Sequence, residues 1–282
     1  MSKSTRLSSD RHSYLRAGDA LKVVQSGKGQ KLIFLLQIFK LSLMRLFAPP
    51  RYFDPNDSEL VDRPDVDPTQ LREEMEALEK ANRWLGAHHL ILESVRQLLG
   101  SRSSSTLRVL DLGTGLADIP RALVTWARRN NLPIMVTAVD GNAKTLELAR
   151  AACRDWPEIE LEQHDLRALP YAPDSFDLVL CSLALHHFSA ADTVSILRRM
   201  HELARHGYIA SDLRRNWPAI VMTKLVALVP FKSRAFRQDA VQSCRAAFTI
   251  KELRTLAQQA ELGDVKITRH HLFFRMNLEG KK

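Results

Sequence analysis

The chain has 282 residues, 45% of them hydrophobic, enough for one substantial core with an appended segment. Its formal charge of +9 is unevenly placed: residues 1–51 hold ten Lys and Arg against Asp10 and Asp19, while the rest holds 31 basic and 30 acidic residues. A nearly neutral body with a basic arm argues against a nucleic-acid-binding domain, and for an arm that touches an anionic membrane surface or a disordered polyanion.

Within the arm, "LIFLLQIFKLSLMRLFA" (32–48) is 17 residues long, at the lower limit for spanning a bilayer. Its eleven Leu, Ile and Phe residues favour insertion by roughly 3 to 7 kcal/mol, but Lys40 near the centre costs about 3 kcal/mol and Arg45 adds to that. The balance is near zero, so the segment reads as a helix lying in the membrane interface or as one packed over a substrate cleft. The apolar part starts too late for an ordinary signal peptide. Three cysteines, Cys153, Cys181 and Cys244, imply no disulfide framework and make a reducing cytoplasm the default compartment.

A Pro- and Asp-rich connector follows, and a helical cover then completes residues 52–104. Asp67 before Pro68 and Gln70 marks a cap, a first-turn proline and a capping-box partner. Leu71, Met75, Leu78 and Leu85 continue at helical spacing, and "NRWLGAHHLILESVRQLLG" stays helical until Gly100. From 105 to 282 short apolar runs alternate with helical patterns. Strands are expected at "LRVLDLG", "IMVTAVD", "IELEQHD", "FDLVLCS", "HGYIASDL", "DVKITRHH" and "LFFRMN". Helices are expected at "DIPRALVTWARRN", "NAKTLELARAAC", "SAADTVSILRRMHELAR" and "TIKELRTLAQQAEL". This alternation predicts an α/β domain with a Rossmann-like, seven-stranded, mostly parallel sheet covered by helices on both faces, plus an N-terminal helical extension. The apolar stretch at 216–236 sits in an insertion, 216–250, expected to cover an acceptor.

In such sheets ligands bind outside the carboxyl ends of the strands. Four predicted strands end at Asp111, Asp140, Asp165 and Asp212, and the fourth strand ends at Cys181 and Ser182. Asp also caps helices and opens turns, so any single one has a structural use. "VLDLGTGLAD" lacks the Lys of a phosphate-cradling loop, and the third glycine of a dinucleotide fingerprint is replaced by Asp118. An anionic residue at that helix start repels a pyrophosphate. A ligand with hydroxyls and a positive centre suits the site better, and S-adenosylmethionine is the candidate. Metal ligation is not expected: in "HELARH" His201 and His206 are five apart, and the pairs His88–His89, His186–His187 and His270–His271 show no ligand spacing.

These motifs, in this order over roughly 105–215, resemble the class I S-adenosylmethionine-dependent methyltransferases. The resemblance implies that Asp111, Gly113, Thr114 and Gly115 face the methionine part of the cofactor. It further implies that Asp140 with Gly141 holds the ribose, that Asp165 with Leu166 meets the adenine, and that Cys181 and Ser182 lie toward the methyl donor. Ala117 departs from the family, which often has a third glycine there. A finer similarity is to bacterial small-molecule enzymes of the ubiquinone/menaquinone-biosynthesis type, carried by "SDLRRNWPAI", "RQDAVQSCRAAFTIKEL" and the cover segment before the domain.

Methyl transfer is an in-line displacement that needs alignment, exclusion of water and, for a hydroxyl, a nearby base. His186 and His187 are the base candidates, with Asp212 beside them and Arg214 as an acceptor contact. Adjacent histidines also cap helices, and Asp212 and Arg214 could simply pair with each other. The apolar cover implies a lipophilic or aromatic small-molecule acceptor and no nucleic acid, since "CSLALHHF" stands where a base-flipping enzyme carries Asn/Asp-Pro-Pro-aromatic. A non-catalytic, cofactor-binding accessory subunit and a protein or RNA methyltransferase are the competing readings, and the oligomeric state is left open.

Overall fold

The computed structural model describes residues 48–54, 59, 61, 63, 65–100, 105–226, 234–270 and 274–282. The interfacial helix expected at 32–48 therefore lies almost wholly outside the described residues. No helix among the described residues is long and apolar enough to cross a membrane.

Two helices precede the sheet. In α1 (Pro68–Trp84), Asp67 Oδ1 accepts the N–H groups of Thr69 and Gln70, and Pro68 occupies the first turn, where its missing donor costs nothing. The sequence pattern runs on helically through residue 99, but the structure breaks at Gly86, whose φ of +71° ends α1 and starts α2 (Ala87–Leu99). Strands β1 (Leu107–Leu112), β2 (Ile134–Asp140), β3 (Ile159–Gln163), β4 (Phe176–Ser182) and β5 (Ala204–Leu213) are connected through α3 (Asp118–Arg129), α4 (Ala143–Ala152) and α5 (Ala190–Leu203). Then come α6 (Trp217–Val226), α7 (Arg234–Ala246), α8 (Ile250–Gln259), β6 (Val265–His270) and β7 (Arg275–Lys281). A reciprocal capping box forms at Thr249 and Glu252, opening α8.

The sheet has seven strands in the order β3-β2-β1-β4-β5-β7-β6, and β7 alone runs antiparallel to both its neighbours. Alternate strand residues feed two cores. Leu107 and Val109 of β1, Leu178 and Leu180 of β4, and Ile209 of β5 pack with Ile91 and Val95 of α2 and Leu123 and Val124 of α3. On the other face Leu110, Leu112, Val179 and Tyr208 pack with Ile196 and Met200 of α5 and Leu253 and Leu256 of α8. With both faces covered, the strands read as nearly continuous apolar runs.

Two expectations shift. Strand residues 272–277 were expected at the chain end, whereas β7 begins at Arg275 and continues to Lys281. The polar "NLEGK" hid it: Asn277 and Glu279 are buried because both meet Ser94 of α2, Asn277 at 3.2 Å and Glu279 at 2.6 Å. The helix expected through Arg205 stops at Leu203, so His206 lies in β5 and cannot share a helix with His201.

Candidate active site

The strand order reverses between β1 and β4, and the carboxyl ends of those strands open the site. After Asp111 and Leu112, the loop turns through Gly113 (φ +68°) and Gly115 (φ +56°). Gly113 has a second constraint, since a Cβ there would lie 2.7 Å from Ala184 Cβ. Ala117 stands where the third glycine is usual and still takes φ +57°, a conformation that costs a non-glycine residue about 1–2 kcal/mol. The loop shape is therefore kept despite the substitution.

Asp140, at the end of β2, holds this loop: its Oδ2 accepts the Gly115 N–H at 2.9 Å and its Oδ1 the Asn142 N–H at 2.9 Å. A cleft of about 740 Å³ opens beside it, lined also by Gly113, Gly141, Asp165 and Leu166, within the range of small-molecule sites. Arg167 reaches into the same cleft, but its guanidinium is engaged by Asp165 at 2.6–3.0 Å, which holds the Asp165 carboxyl below its usual range. A recess of about 50 Å³ continues inward past Asp111, Thr114, Asp118 and Ser182. Burial, reinforced by Asp118 and Asp140 and opposed by Thr114, pushes the wholly buried Asp111 up to about 7. An acidic recess beside a glycine cradle fits the ammonium, sulfonium and ribose of S-adenosylmethionine, and its carboxylates disfavour a phosphate.

A second cavity, about 220 Å³, lies under α1, α6 and α7. Its walls include Leu78, Ala81, Leu85, Leu213, Met222 and Phe274, and His186, His187, Glu59 and Arg275 are among its polar lining residues, as are Glu74, Asn82 and Asp239. Val61, Leu78, Leu183 and His187 line this cavity and the large cleft at once, so the two meet there. Leu183 lines the recess too and adopts φ +54°, a rare conformation for a bulky residue, anchored by its N–H to Ser211 O at 2.8 Å.

At this junction a short 3₁₀ turn, Leu185–His187, presents two imidazoles. His186 Nδ1 stands 2.7 Å from Asp212 Oδ1, and the His186 backbone N–H donates to Asp212 Oδ2 at 3.0 Å. Burial raises the Asp212 carboxyl, yet the His186 ring and the Leu213 N–H outweigh it and hold it below the usual carboxylate value. An ionised Asp212 only accepts, so Nδ1 carries the proton and a neutral ring keeps its lone pair on Nε2. That nitrogen lies 3.8 Å from Glu59 Oε1, and His187 Nε2 lies 4.0 Å from Glu59 Oε2. Arg51, counted with the basic arm, is fastened to the body, donating to the His186 and Phe188 carbonyls and stacking 3.8 Å over Phe248.

Thus Asp111, Gly113, Thr114, Gly115, Asp140, Gly141, Asp165, Leu166 and Ser182 all line the cleft or its recess, and His186 and His187 line the second cavity. Cys181 does not: it packs in the core below, its thiol raised by burial. Asp212 lines none of these cavities and instead contacts His186 behind the second one. The suggested Asp212–Arg214 pair is replaced by Asp212–His186, and Arg214 also lines none of the three; the arginine that lines the second cavity is Arg275. Sequence reading missed Glu59, Val61, Leu78, Leu183 and Arg275. Only folding brings them together, and no local spacing announces them.

This fold is that of the class I S-adenosylmethionine-dependent methyltransferases. Residues 109–207 match the methyltransferase-domain family. The chain is 31% identical over 160 residues to 2-phytyl-1,4-naphtoquinone methyltransferase of Thermosynechococcus vestitus, covering 57% of this chain and 66% of that one. It therefore spans just under two thirds of that relative's length. Among solved structures, a provisionally assigned O-methyltransferase of Nostoc punctiforme superposes with a TM-score of 0.57 at 20% identity, covering 97% of this chain and 75% of that one. Magnesium protoporphyrin IX methyltransferase of Synechocystis, with bound SAH, superposes with a TM-score of 0.51 at 17% identity, covering 79% and 91%. At these identities the two structures speak for the fold.

Proposed function

We propose that the protein transfers a methyl group from S-adenosylmethionine to a hydroxyl or activated carbon of a small lipophilic or aromatic acceptor. One observation carries this reading: an acidic cofactor cleft and a mostly apolar cavity meet at Val61, Leu78, Leu183 and His187. The cofactor supplies an already activated methyl group. The chain's own residues do the rest. Asp140 and the glycine loop hold the donor, the leucines at the junction exclude water and keep the acceptor close, and His186 Nε2 takes a proton from it while Asp212 fixes the ring. The exposed Leu85 and Met222 continue the apolar wall to the surface, where a greasy acceptor would enter. The relative from Thermosynechococcus, named for a naphthoquinone, supports an acceptor of that character. The basic arm suits contact with an anionic membrane surface from which such an acceptor is drawn.

Ala240→Trp tests the assignment, because Ala240 lines the apolar cavity and not the cofactor cleft. Methyl transfer should be lost while SAH binding is retained. Retained transfer would place the acceptor elsewhere.

A further inference from the structure

We propose that Glu59, His186 and His187 form a site for a divalent cation of the zinc type, open to the acceptor cavity. The proposal rests on the reading of that cavity as the acceptor site. One ligand atom from each of the three residues lies within 4.8 Å of the other two. His186 Nε2 and His187 Nε2 approach opposite oxygens of one carboxylate, at 3.8 and 4.0 Å. Donors around a tetrahedral ion stand about 3.4 Å apart, so modest side-chain movement closes the set.

The arrangement has an electrostatic reason to want a cation. With Nδ1 turned to Asp212, the Nε2 of His186 faces the Glu59 carboxylate, and a positive centre between that nitrogen and the carboxylate oxygens suits both. His186 and Asp212 are both almost fully buried, at 2% and 3% exposure, and Glu59 is 9% exposed, so bulk water screens them poorly. Both kinds of ligand are also oriented from behind. Asp212 fixes the His186 ring, and Ser243 Oγ donates to Glu59 Oε1 at 2.6 Å. Carboxylate–histidine–metal chains of this kind steady metal-binding imidazoles. The two rings are held side by side, with centroids 4.3 Å apart.

Two imidazoles and one carboxylate, with the next position facing a cavity, match the pattern of a catalytic rather than a closed structural site. The open position would take an oxygen of the acceptor. A phenol or enol bound there would lose its proton more readily, the proton passing to bulk water through the open cavity, and His186 would then serve as a ligand in place of proton acceptor. No pairwise spacing in the sequence showed this, because Glu59 joins the two histidines from a segment far along the chain.

The test uses the full chain stripped with chelator and titrated with Zn2+ by calorimetry and with Co2+ by visible absorption. We expect one ion per chain with the absorption of a four-coordinate site. Glu59→Gln and His187→Ala should each weaken binding at least tenfold, and Asp212→Asn about 10–100-fold. SAH binding by Glu59→Gln should stay normal, which shows that this variant is folded. No uptake, or uptake indifferent to Glu59→Gln and His187→Ala, overturns the site. Methyl transfer measured on the stripped protein separates the two readings: full activity without metal, together with no uptake, removes the metal and leaves the transferase.

Discussion

Replacing Asp111 with Asn should make the fold more stable at neutral pH while weakening the cofactor. Asp111 is wholly buried with a pKa of about 7 against 3.8 in the open chain. Between those values the unfolded chain has released the proton and the native state has kept it, so native stability falls as pH rises. At about 1.36 kcal/mol per pKa unit the loss grows to roughly 4 kcal/mol above pH 7, and is under half of that at about pH 5. Asn has the shape of the protonated acid and no proton to lose. Urea denaturation of wild type and Asp111→Asn across about pH 4.5 to 8.5 should therefore give curves that nearly meet at the acid end. They should separate in favour of the variant until about pH 7, then run parallel. In calorimetry, wild-type affinity for S-adenosylmethionine should climb toward pH 7 and level off above it, because a cationic ligand prefers the ionised form; the variant should bind weakly at every pH. A stability difference independent of pH, or a variant less stable than wild type at about pH 8, would refute the reasoning.

Other substitutions probe separate parts of the account. Asp140→Ala removes the acceptor of the Gly115 and Asn142 N–H groups, and its SAH dissociation constant should rise at least tenfold, the scale of one charged hydrogen bond. Gly113→Ala puts a methyl 2.7 Å from Ala184 Cβ at φ +68°, and should lower the melting temperature and the SAH affinity together. His186→Asn should cut kcat by about 10²–10⁴-fold with SAH affinity unchanged, as expected when the Nε2 facing the second cavity is lost. Gly280→Ala places a Cβ 2.0 Å from Tyr208 Cζ across the β5–β7 pair, and urea melts should show a loss of about 3 kcal/mol or failure to fold.

The parallel part of the sheet was legible because β1, β2, β4 and β5 are mostly buried and carry largely apolar stretches with an Asp or Ser at or next to their carboxyl ends. The donor half of the site was legible for the same reason: its residues sit in the turns that those strands feed. The acceptor half was not. Glu59 and Val61 come from the irregular connector, Leu78 from a helix whose period fits plain core packing, and Arg275 from a strand disguised by its own polar residues. Leu183 carries its information in a backbone angle that a leucine does not advertise. Asp212 was found beside the histidines, and of its two open uses the pair with Arg214 does not form: the 3₁₀ turn brings His186 to it instead.

The most direct measurement is transfer of label from radioactive S-adenosylmethionine into a cell extract, partitioned into organic-soluble, protein and nucleic-acid fractions. The account predicts label in the organic phase with wild type, and its loss with both Asp140→Ala and Ala240→Trp. Label in the protein or nucleic-acid fraction would contradict a small lipophilic acceptor, and organic label that survives Ala240→Trp would contradict the cavity assigned to it.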